Sequence, residues 1–279
     1  MTTGAADLFQ PTPGEEVVRV GPLRALRWLP TDLRAPSRFL LVHGLWGGAH
    51  MWRRMGPYLA AHGYATYAVW LRHHHPGADH RSLHGVGVRD LADDVIEAAR
   101  EIGAPILVGH SVGGLVAQVA AAGWEAPGLI LMSSAGPLGI LTLHRGWETL
   151  RALPRFAGHP FRSEPLRPDA AYMHRMFFNR LEAGEAAALS EHLVPEPRRF
   201  VRQIAFWPPH VPRSAIRCPV LVTAGSEDLG VIPWVARRLG ARYRVLPMIY
   251  PGRAHMLQLE RGWEDVADDL TRWADRFVA

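Results

Sequence analysis

The chain has 279 residues, 48% of them hydrophobic and 20% charged, enough for one large domain or one domain with an insertion, and this excludes global disorder. The single cysteine, Cys218, excludes an internal disulfide and a multi-cysteine zinc site. All 31 basic residues are arginine, which excludes lysine Schiff-base chemistry, and the net charge of +5 resides in 136–217, where 12 arginines face 7 acids.

Residues 1–14 read as a flexible N-terminus with no basic-then-apolar order of a secretory signal. No run reaches the ~20 apolar residues of a membrane helix, so a cytoplasmic protein without a membrane span is expected. Short apolar runs predict strands at Glu16–Val20, Leu23–Trp28, Phe39–His43, Ala65–Val69, Ile106–Val108 and Leu129–Met132. Between them, Val88, Leu91, Val95, Ala98 and Ile102 recur at helical steps, and Val112–Ala122 is a small-residue helix. This alternation predicts a parallel sheet with helices on both faces. The pattern breaks at Gly136 and resumes at Cys218, with strands at Pro219–Ala224 and Tyr243–Ile249 and helices at Trp234–Leu239 and along Trp263, Val266, Leu270, Trp273 and Phe277. The interval 136–217 reads as a helical cap over the carboxyl edge of a core made of 15–135 and 218–279.

The chemistry concentrates on loops that follow strands. Gly109-His110-Ser111-Val112-Gly113-Gly114 joins a strand to a helix, a turn that lifts the Ser111 hydroxyl toward a helix N-terminus. Serine needs a base, and the base needs an orienting acid. Asp228, in Gly225-Ser226-Glu227-Asp228, and His255, in Pro251-Gly252-Arg253-Ala254-His255, follow later strands and supply both. In His43-Gly44-Leu45-Trp46-Gly47-Gly48 the backbone can offer an oxyanion donor, assigned to Leu45 N–H with Trp46 as alternative, beside Val112 N–H. The His73-His74-His75 run with Asp79, His80 and His84 reads as a solvated loop rather than a metal site. No basic tract interleaved with aromatics supports nucleic-acid binding.

Taken together, the HG turn, the GHSVGG elbow, the acid loop and the late P-G-x-x-H-M resemble the α/β-hydrolase fold superfamily over residues 15–278. The resemblance implies a mostly parallel eight-stranded sheet with a helical cap inserted after the sixth strand. It implies Ser111 as nucleophile, Asp228 as acid and His255 as base, with Glu227 a weaker candidate for the acid. The loop after the sixth strand, Ser133-Ser134-Ala135, carries no carboxylate, and Ala254 stands where a glycine commonly precedes the histidine. A serine at the elbow separates the chain from epoxide hydrolases and haloalkane dehalogenases, and the missing lysine separates it from hydroxynitrile lyases.

The function expected is a serine hydrolase cleaving a carboxylic ester or lactone of a fairly apolar small molecule, with no metal and no organic cofactor. Trp147, Met176 and Phe177 of the cap are candidates to line the substrate pocket. A biosynthetic enzyme using the same residues (thioesterase, acyltransferase, cyclase or eliminating enzyme) and a non-catalytic ligand binder are the alternatives. The arginine-rich cap adds an anionic acyl carrier as a possible partner.

Overall fold

The computed structural model describes residues 8–33, 38–83, 85–142, 165–167 and 169–278. Eight strands form one sheet: β1 (Glu16–Val20), β2 (Leu23–Trp28), β3 (Arg38–Val42), β4 (Ala65–Trp70), β5 (Ile106–His110), β6 (Leu129–Met132), β7 (Val220–Gly225) and β8 (Met248–Tyr250). Their order is β1-β2-β4-β3-β5-β6-β7-β8; the pairings of β2 with β1 and β4 are antiparallel and all others parallel. The central strands β5, β6 and β7 are buried along their whole length, as continuous apolar runs covered on both faces must be.

Helices α1 (Met55–Ala61), α2 (Val88–Ile102), α3 (Val112–Gly123), α4 (Ala170–Met176), α5 (Ala183–Glu191), α6 (Arg198–Phe206), α7 (Pro233–Tyr243) and α8 (Trp263–Phe277) complete the described elements. The sheet separates two cores. On one face α2, α3 and α7 bury Leu91, Val95, Leu115 and Leu239 against Leu40, Leu107 and Val222. On the other, α1 and α8 bury Leu59, Val266 and Leu270 against Phe39, Leu41 and Ile130. The α2 stripe behaves as its periodicity predicts, whereas α3 carries apolar or small residues all round apart from Gln118 and is buried almost throughout.

Two expectations change. The strand expected over Tyr243–Ile249 is only Met248–Tyr250, because α7 continues to Tyr243. There the Tyr243 hydroxyl donates to Gln118 Oε1 at 2.9 Å and holds the last helical turn against α3. Arg244, in the left-handed region at φ 59°, ends that helix. Residues 8–14, expected to be part of a flexible N-terminus, are anchored: Leu8 is buried, and Thr12 Oγ1 accepts from Trp28 Nε1 at 2.8 Å.

Between β6 and β7 the chain leaves the sheet as the helical insertion containing α4, α5 and α6. Tyr172, Met173, Met176, Phe177, Ala186 and Leu189 pack there with Trp46, Met51 and Met256 from the core loops, so the insertion covers the carboxyl ends of the strands. Among the described residues no helix is long and apolar enough to cross a membrane.

Candidate active site

Ser111 stands between β5 and α3 with φ 56° and ψ −123°, a backbone state that a side chain rarely adopts. The glycines around it allow this. A Cβ on Gly109 would lie 2.4 Å from Gly114 Cα, one on Gly113 2.3 Å from the His43 carbonyl oxygen, and one on Gly114 2.1 Å from Ser134 Oγ. The turn is fixed from outside as well, since Ser111 N–H donates to Met132 at 2.9 Å and Ala135 N–H donates to Ser111 O at 2.9 Å.

The acid and base loops are knitted together before their side chains meet. Glu227 N–H donates to Arg253 O at 2.8 Å, and Gly252 N–H donates to Ser226 Oγ at 2.9 Å. Gly225 permits the approach, since a Cβ there would sit 2.2 Å from Ala254 O. His255 Nδ1 lies 2.8 Å from Asp228 Oδ2, and both side chains are buried. Asp228 Oδ1 accepts from Gly230 N–H at 2.9 Å and Val231 N–H at 2.8 Å, so the carboxylate is oriented by backbone donors as well as by the imidazole. With Nδ1–H directed at Asp228, Nε2 is the nitrogen left to take a proton. Glu227, the weaker candidate for the acid, points elsewhere and pairs with Arg180 at the surface.

Two groups that the sequence did not single out hold the His255 main chain. His110 Nε2 is 3.0 Å from His255 O, and burial pushes the His110 imidazole down to about 3, so it is neutral and serves as an Nε2–H donor. Glu260 accepts from Ala254 N–H at 2.7 Å and from Met256 N–H at 2.9 Å, bridging the residues on either side of His255. Burial raises the Glu260 carboxyl above its ordinary value. The E at position 260 offers no sequence signal of this role, because acids five residues after a histidine are commonplace.

Ser111 and His255 line one cavity of about 30 Å³, with no hydrogen bond between the hydroxyl and the imidazole among the described residues. Such contacts often tighten only when substrate is bound. Apolar side chains form most of the remaining wall: Leu45, Trp46 and Met51 from the first loops, Met256 from the base loop, and Met173, Phe177 and Phe178 from the insertion. Phe177 lies edge-on to the His255 ring at 4.9 Å. Met176 is fully buried in the insertion and is not part of this wall; Trp147 lies outside the described residues.

At the mouth of α3, Val112 N–H precedes any carbonyl that the helix could offer it, and Leu45 N–H makes no hydrogen bond among the described residues. Trp46 N–H, by contrast, donates to Glu196 Oε1 at 2.5 Å and is occupied. The histidine run also departs from a solvated loop. His74 is buried with its Nε2 3.0 Å from Glu196 Oε2, and among the described residues no group of acids, histidines and cysteine is arranged to hold a metal ion.

A sequence model described as "Alpha/beta hydrolase family" matches residues 39–269. The chain belongs to this family. Its fold is shared by a thermophilic esterase from Thermogutta terrifontis, at TM-score 0.71 and 20% identity over 95% of this chain and 100% of that one. A soluble variant of monoglyceride lipase from Saccharomyces cerevisiae aligns at TM-score 0.69 and 16% identity, covering 98% and 97% of the two chains. Naproxen esterase from Bacillus subtilis aligns at TM-score 0.68 and 15% identity, covering 96% and 94%. No curated protein matches the chain. The candidate residues of this α/β hydrolase lie on loops at the carboxyl ends of the parallel strands.

Proposed function

We propose that this α/β hydrolase is a serine hydrolase cleaving a carboxylic ester with a fairly apolar acyl or alcohol part. His255 Nε2 takes the proton of Ser111 as Oγ attacks the carbonyl carbon, and Asp228 stabilises the imidazolium that forms. The oxyanion lies between Leu45 N–H and Val112 N–H, the latter reinforced by the N-terminus of α3. The alcohol leaves with the proton from His255, and water activated by the same nitrogen releases the acid. In this scheme 136–217 form the cap and 15–135 with 218–279 the core.

The observation that carries this proposal is the buried Asp228–His255 hydrogen bond opening onto the same apolar cavity as a serine on a strained strand-to-helix turn. The esterase and lipase names of the neighbours in fold support an ester over other acyl groups. The test uses a fluorophosphonate probe and p-nitrophenyl esters. Wild-type protein becomes covalently labelled, Ser111→Ala does not, and His255→Ala loses about 10⁴-fold or more in kcat on the ester. Equal labelling of wild type and Ser111→Ala would remove the nucleophile assignment.

A further inference from the structure

Trp46 holds a left-handed backbone at φ 59°, unusual for a bulky side chain, next to the Leu45 amide assigned above to the oxyanion. Both of its main-chain polar groups are claimed by the insertion. Its N–H donates to Glu196 Oε1 at 2.5 Å, and its carbonyl accepts from Val194 N–H at 3.0 Å. Glu196 comes from 150 residues away and is only 1% exposed, so its carboxylate has no solvent to fall back on.

That carboxylate is itself fixed from several sides. The Glu196 main chain pairs with Leu166 in both directions, at 2.8 and 3.0 Å. Glu196 Oε2 lies 3.0 Å from His74 Nε2, while His74 Nδ1 donates to Arg72 O at 2.8 Å. The Arg72 guanidinium is in turn held by both carboxylate oxygens of Asp94 on α2. Beneath the same turn, His43 Nδ1 donates to Gly44 O at 2.8 Å, and its ring is 5.2 Å from that of His74. A buried carboxylate and two imidazoles thus pack at the four-residue turn His43–Trp46, with the Arg72 main chain behind His74.

We infer that Glu196 is a positioning residue of the ester cleavage proposed above: by fixing the Trp46 peptide it aims Leu45 N–H at the oxyanion, so that the hole is complete only while the insertion is docked on the core. This rests on the proposed function and adds to it a dependence of catalysis on cap docking. A carboxylate at this position acts through hydrogen-bond geometry. Gln keeps an oxygen for Trp46 N–H and an N–H for a neutral His74, whereas Asp keeps the charge but withdraws the oxygen by one methylene.

The test compares wild type, Glu196→Gln, Glu196→Asp and Glu196→Ala in the rate of fluorophosphonate labelling and in kcat and KM for a p-nitrophenyl ester, with melting temperature measured alongside. Gln stays within about threefold of wild type, and Asp loses about tenfold or more in labelling rate and kcat with little change in KM, since a small misplacement at the reacting centre suffices for this. Ala loses at least as much as Asp if it folds, and the Gln and Asp pair decides the matter if it does not. Lower melting temperatures with equal labelling rates across the folded variants, or a Gln variant as slow as Asp, would overturn the inference. A wild type that takes no label removes the serine-hydrolase proposal itself, a result separate from any ranking of the variants.

Discussion

His255 is held by its backbone as firmly as by its ring. Asp228 fixes the imidazole, His110 takes the carbonyl, and Glu260 takes the amides before and after. Ala254, beside the histidine, is accommodated: its methyl is buried and its N–H faces Glu260. Replacing Glu260 by Ala leaves two buried N–H groups without partners, a cost of about 1–3 kcal/mol for each such group. Glu260→Ala is therefore expected to lower the urea unfolding midpoint and, on the proposed function, to reduce kcat about tenfold, since an imidazole held loosely spends less time aligned. Unfolding curves and ester kinetics on the same preparation check both effects. Gln118 shows the same economy of side chain for main chain. Its Nε2 reaches Gly114 O, Ser134 Oγ and Ala135 O, tying α3 to the loop after β6.

The insertion acts as an element in two ways. Arginines meet carboxylates of the core: Arg180 pairs with Glu227, Arg199 with Asp90 and, at the junction with β7, Arg217 with Glu125. These pairs are exposed and contribute little stability, but they place part of the positive charge of 136–217 in contacts between the insertion and the rest of the chain. At the site, α4 and the residues after it close the cavity, whose 30 Å³ holds little more than a water molecule or two. Met173, Phe177 and Phe178 are therefore expected to shift when a substrate binds over Ser111. Phe177 also packs against Gly230 of the acid loop, where a Cβ would lie 2.3 Å from its ring. Phe177→Ala opens space beside the imidazole. It is expected to raise the ratio of kcat/KM for p-nitrophenyl octanoate over acetate about tenfold or more, since each additional buried methylene is worth about 0.8 kcal/mol. A chain-length series on wild type and variant measures that ratio.

At the scale of the whole molecule, buried imidazoles set the acid limit. His43 and His110 are held well below the ordinary histidine range, chiefly by burial, so the unfolded chain binds protons there more readily than the folded one. Stability is thus expected to fall as pH drops below about 6.5. His74 works in the opposite sense. Burial alone would lower it, but the attraction and hydrogen bonding of Glu196 outweigh this and raise it. Its contribution is full below the unfolded value and is lost as pH rises through the raised folded one. Urea midpoints between pH 4.5 and 9 check both arms. His110→Gln should flatten the acid side, and His74→Gln should flatten the alkaline side.

The strands Glu16–Val20, Leu23–Trp28 and Leu129–Met132 and the last helix were legible in the sequence because each carries its own periodicity and its own breakers. The placement of Ser111, Asp228 and His255 after strands was legible because a parallel sheet delivers such loops to one edge. The eighth strand was misjudged because helix propensity and strand propensity compete over Tyr243–Ile249, and a tertiary contact, Tyr243 with Gln118, settles the boundary. Sequence alone determined the family, the sheet and the candidate nucleophile, because these depend on local backbone rules. Which amide stays free, which carboxylate occupies its neighbour and how little room lies over the serine were decided only by tertiary structure. Glu196 reaches Trp46 across 150 residues, and no periodicity encodes a side chain meeting so distant a peptide.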